Sequence, residues 1–160
     1  MRRMGPILPL VGGNTRFQPV YVDDVAQAAV AGITGQAVGI YELGGPEIDS
    51  LRGLVNRMLG VIRRQRLVIN LPFLVGSIMG AVLDIGSAMT LRLFPNKILT
   101  RDQVASLRSD NVVSAGAKTL TDLGITATPM AAVIEEYLWP YRPSGQYTAI
   151  KESAKNLRRA

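Results

Sequence analysis

Residues 17–26, reading Phe-Gln-Pro-Val-Tyr-Val-Asp-Asp-Val-Ala, constrain the fold more than any other stretch of the chain. Val20 and Val22 alternate with Tyr21, which is the period of a strand. Pro19 suits a strand's first position, because it has no amide hydrogen to give to a ladder. Asp24 then offers a side-chain oxygen to the free amides of a first helical turn, and Gln27 completes a capping-box pattern. The helix this predicts runs through Ala28, Ala29, Val30 and Ile33. Two acidic residues in its first turn suit the positive end of the helix dipole, so Asp23 and Asp24 read as structural caps.

The same order of extended run, then helix, recurs. Residues 39–43 form a second extended run, closed by Gly44-Gly45-Pro46. Asp49 or Ser50 then caps a helix that carries Leu51, Leu54, Val55, Met58, Leu59 and Ile62 at helical spacing. Arg63, Arg64 and Arg66 follow at its negative end. A third run, 67–71, stops at Pro72, and an earlier one, 7–11, ends at Gly12-Gly13-Asn14. Beyond residue 100 the pattern is helical. Thr100 and Gln103 make a capping box for a helix reaching about Ser109. Residues 120–125 read as a short helix ended by Gly124. Thr128 and Pro129 read as the N-cap and first residue of a helix with Met130, Val133, Ile134, Tyr137 and Leu138, which Pro140 and Pro143 end. This pattern predicts an α/β fold with a mainly helical C-terminal part, one domain over 1–140 and a tail over 141–160.

Residues 73–91 are the most apolar stretch and hold one charge, Asp84. Their length approaches the ~20 residues of a bilayer span. Gly76 and Gly80 have the small-xxx-small spacing of close helix contacts. Asp84, two serines, a threonine and three glycines argue instead for a helix buried or covered by a partner, with peripheral membrane contact as the partner's other form.

Composition removes several chemistries. The chain has no cysteine and no histidine, so disulfides, thiolate or imidazole metal sites and histidine-based nucleophile activation are excluded. No metal site is expected. Of the formal charge of +6, residues 141–160 carry +4, from five basic residues against Glu152. The basic character is therefore mostly a tail. Only Tyr147 is interleaved with those charges, so no nucleic-acid partner is expected. Residues 7–11 are too short and too proline-broken for the apolar core of a signal peptide, and no secretion is expected.

Several landmarks resemble, in order, the second half of extended short-chain dehydrogenase/reductases of the NAD-dependent epimerase/dehydratase family. They are the junction at 19–26, Tyr41-Glu42-Leu43-Gly44-Gly45-Pro46, Thr100-Arg101-Asp102-Gln103 with Ser109-Asp110-Asn111, and Leu123-Gly124-Ile125 with Thr128-Pro129. Their variants are most similar to the atypical branch that includes the nucleotide-binding accessory subunit of respiratory complex I. The resemblance implies the C-terminal, substrate-side portion of a Rossmann-like fold. It implies NAD(P) as the family's cofactor, with the cofactor-binding half absent and no binding by this chain alone. Neither Gly12-Gly13 nor Gly44-Gly45-Pro46 supplies the glycine pattern that lets a pyrophosphate approach helix amides.

The family's catalytic Tyr-xxx-Lys would lie upstream of residue 1. Tyr147 and Lys151 have its spacing but sit in the tail, so no catalytic or cofactor-binding residue is assigned. The Arg-Asp pair that many sugar-nucleotide epimerases place before the strand is replaced by Phe17-Gln18, with Arg16 one position earlier. Gln18, Pro19 and Val20 are the residues the resemblance places along a substrate cleft.

The implied role is a complex I-associated accessory subunit or fragment with structural or binding work. Its partners would be complex I subunits or the missing N-terminal half. Its implied location is cytoplasmic, at the cytoplasmic face of a bacterial inner membrane, or the matrix side in a mitochondrion. The alternative is part of an active NAD(P)-dependent sugar-nucleotide epimerase or reductase.

Overall fold

The computed structural model describes residues 6–89, 100–143 and 147. Its order is β1 (Ile7–Val11), β2 (Arg16–Phe17), α1 (Val22–Ile33), β3 (Asp49–Ser50), α2 (Leu51–Val61), β4 (Leu67–Leu71), α3 (Phe73–Met89), α4 (Arg101–Ser106) and α5 (Met130–Leu138). Single 3-10 turns span Thr121–Leu123 and Trp139–Tyr141. The fold is mixed α/β, with two small sheets among the described residues.

β1 and β4 pair in parallel, Ile7 opposite Leu67 and Val11 opposite Leu71. Alternation puts Leu8 and Val68 on one face, where Val55 and Leu59 of α2 and Ile62 just after it cover them, and Leu10, Met58 and Leu138 pack against this core. Among the described residues the opposite face is covered only at one end. There α3 comes so close that a Cβ on Gly76 would lie 2.8 Å from both methyls of Val11. β2 and β3 form a two-residue antiparallel pair.

Local signals read correctly at several ends. Ser50 accepts a bond from Gly53 N at 3.0 Å and caps α2. Thr100 and Gln103 form both halves of a capping box. Gly124 adopts φ 69°, which a left-handed helix end requires.

Other expectations are corrected. Residues 18–20 are not a strand, and α1 starts at Val22 with Tyr21 as its N-cap. Asp24 is thus the third residue of the helix and no cap. It is 2% exposed, and its carboxylate accepts from Thr128 N at 2.7 Å and Thr128 Oγ1 at 3.0 Å. Residues 39–43 form no strand beyond an isolated bridge between Tyr41 and Lys118, supported by Glu42 N donating to Lys118 O at 2.8 Å. α4 stops at Ser106, and Pro129, not Thr128, is the N-cap of α5. The stretch at 73–91 forms a helix through Met89, as expected, but it is not buried all round. Leu74 is 71% exposed and Val82 63%. No helix among the described residues is long and apolar enough to cross a membrane. Lys151 and most of the basic tail lie outside the described residues.

Candidate functional site

Three segments converge beside the start of α2: 17–20, 42–45 and 111–113. Backbone bonds join them. Asn111 N donates to Arg16 O at 2.8 Å and Gln18 N to Asn111 O at 3.1 Å. Gln18 joins the remaining pair through its side chain. Its Nε2 donates to Gly45 O at 2.7 Å, and its Oε1 accepts from Val113 N at 2.9 Å. That closeness requires glycine at 45, where a Cβ would stand 1.9 Å from Pro19 O.

The result is a cleft of about 580 Å³, walled by Phe17, Gln18, Pro19, Val20, Glu42, Leu43, Gly44, Leu51, Leu54 and residues 111–113. Gln18, Pro19 and Val20, named from the sequence, are therefore brought together on its wall. Gln18 acts as a strut, because both ends of its amide are occupied by backbone. Pro19 and Val20 also wall a second cleft of about 490 Å³, lined mainly by apolar side chains of α2 and α5 together with Tyr21 and Tyr137.

The electrostatics of the first cleft bear on its chemistry. Glu42 is the one ionisable residue among the described residues of its lining, and its Oε2 accepts from Ser114 N at 2.7 Å. Among the described residues no lysine or arginine lines it. A phosphate or pyrophosphate would meet no cationic side chain there. The nearest such group along the chain, Arg16, is turned to Asp110, with Nε 2.8 Å from Oδ2. The Arg16 backbone N–H, and then its guanidinium, hold the Asp110 carboxyl below the usual carboxylate range. Near the second cleft, the Asp23 carboxylate beside Tyr21 pushes that phenol up to about 12, with partial burial and the neighbouring Tyr137 adding to the shift. Asp23 thus acts on the N-cap residue of α1 and caps nothing itself. Among the described residues no cluster of acidic side chains is arranged to hold a metal ion.

Sequence reasoning named Gln18, Pro19 and Val20 but not Phe17, Glu42, Val112 or Val113, which also wall the cleft. The Arg16–Asp110 pair, 94 positions apart, leaves no local signal at all.

The chain matches no protein-family model. It is 36% identical over 143 residues to the protein named NADH dehydrogenase (ubiquinone) 1 alpha subcomplex subunit 9, mitochondrial, of Arabidopsis thaliana. The match takes in 86% of this chain, and the chain spans 36% of that relative's length.

Proposed function

We propose a function from the premise that the chain, over the 143 residues it shares with the plant protein, belongs to the family of the NADH dehydrogenase alpha subcomplex subunit 9. The chain acts as an accessory subunit of respiratory complex I, with a structural and binding role in place of turnover. The observation that carries this reading is the 36% identity across most of the chain. Two features of the fold support it. Among its described residues the first cleft presents no cationic side chain to a nucleotide phosphate. The outer face of the β1–β4 pair leaves Ile7, Leu67 and Ile69 exposed, where parallel sheets ordinarily have both faces covered. That face is assigned to neighbouring subunits.

In the same reading the chain is the substrate-side portion of an extended reductase-like fold. NAD(P) belongs to the part of the family's sequence that this chain does not match. The place of action is the aqueous side of the energy-converting membrane, the matrix side or its bacterial counterpart, in peripheral contact with the bilayer.

The test is co-purification. A tagged full-length chain, expressed in its own cells, should fractionate with complex I after mild detergent extraction. Recovery only as a free monomer would overturn the subunit role. A fluorescence titration of the isolated chain with NADPH checks the cofactor assignment separately. The expected result is no saturable change, and tight binding would overturn that part.

A further inference from the structure

The first cleft sets a single charge among apolar walls. Phe17, Leu43, Leu51 and Leu54 lie half-buried along it, and Glu42 stands among them, half-buried as well. The Glu42 carboxylate accepts from Ser114 N through Oε2, and among the described residues no cation pairs with it. Lys118, whose backbone bonds to Glu42, turns its ammonium elsewhere. Its Nζ lies 5.4 Å from the centre of the Tyr41 ring and 3.5 Å from Val38 O. In open water a lone carboxylate costs little. Under a neighbour that covers the cleft it would lose that water, and a buried charge without an opposite charge is strongly unfavourable. Whatever covers these apolar walls has to bring a positive charge to Glu42.

We propose that a lysine of a neighbouring subunit inserts into this cleft, its four-carbon stem along the apolar wall and its ammonium on Glu42 Oε1. The inference rests on the subunit role argued above and names one contact within it. The carboxylate selects lysine over arginine. A guanidinium pairs best with both carboxylate oxygens at once, and Oε2 already serves Ser114 N. An ammonium is a point charge and needs only one oxygen. A lysine stem also lies readily against apolar surface while its head reaches a charge. The cleft, at about 580 Å³, is larger than one side chain, so the residues flanking that lysine enter with it. The receiving walls are tied together in advance, because the Gln18 amide bonds to Gly45 O and Val113 N on either side.

The experiment compares the tagged full-length chain with its Glu42→Gln variant, each expressed in its own cells and extracted in mild detergent. The amide keeps an oxygen for Ser114 N and removes only the charge, so urea unfolding of the isolated chain should not change. Recovery with complex I should fall by about tenfold or more, because the incoming ammonium is left buried without its partner. A water-soluble carbodiimide condenses a carboxylate and an adjacent ammonium into an amide with loss of water. In the wild-type complex it should join Glu42 to a lysine of another subunit, identified by peptide mass spectrometry. Three results would overturn the proposal: undiminished recovery of the variant, a loss of recovery matched by a loss of folding stability, or Glu42 joined to no lysine or only to one of its own chain, such as Lys118. If the wild type itself does not co-purify, the subunit role falls and this contact with it. A failure confined to the variant or the cross-link leaves the subunit role standing.

Discussion

Gln18 holds three pieces of chain together with one amide. The side chain reaches Gly45 O on one side and Val113 N on the other, while its own backbone N–H goes to Asn111 O. Truncating it leaves the Val113 N–H and the Gly45 carbonyl without their partner in a half-buried place. Each lost bond to a group left unsatisfied costs about 1–3 kcal/mol. Gln18→Ala should therefore lower unfolding stability by about 2–4 kcal/mol, since two such groups are exposed to the same loss. Gln18→Glu keeps the acceptor for Val113 and loses the donor to Gly45, so it should fall between. Urea unfolding of the three proteins checks the order. From sequence, Gln18 could be named as a cleft residue but not as a strut, because its partners sit 27 and 95 positions away. The same distance hid the true work of Asp24. Its acidity at a helix start suggested a cap, whereas its partner is Thr128, across 104 positions.

Elements were legible where their evidence is local. A helix needs a 3.6-residue period and a start signal, and both lie within a few residues of each other. The Ser50 and Thr100 caps and the Gly124 stop were readable for this reason. Strands are another matter. Residues 19–22 and 39–43 read as extended runs, yet a strand exists only where a neighbour supplies its hydrogen bonds, and among the described residues the second gains one isolated bridge, at Tyr41, and the first none. The capping box of α4 offers a test at this scale. α4 has six residues and places Val104, 1% exposed, in the interior. So short a helix has little else to fix its first turn. Thr100→Ala should destabilise the protein by about 1 kcal/mol, while Thr100→Ser, which keeps the hydroxyl, should be near neutral. Thermal unfolding of the pair decides it: equal midpoints would mean the cap is dispensable.

At the scale of the whole molecule the informative feature is a sheet with one face that the described residues leave largely uncovered. β1 and β4 come from positions 60 residues apart, so their parallel pairing could not be read from either run alone. Once formed, the pair commits Leu8 and Val68 to the core under α2 and turns Ile7, Leu67 and Ile69 outward, the first two more than half exposed. Water on that face is a poor match for a parallel sheet. If neighbouring subunits cover it, a charge placed there should act on assembly and not on folding. Leu67→Lys and Ile69→Asp change side chains that are already solvated in the isolated chain. Their effect on its unfolding should stay within about 0.5 kcal/mol. In the assembled state the same charges would be desolvated without a partner, a cost of several kcal/mol each. Recovery of the tagged chain with complex I should then drop severalfold or more for either variant. Two results exclude this face as the contact: undiminished recovery with both charges in place, or a loss of recovery matched by a loss of folding stability.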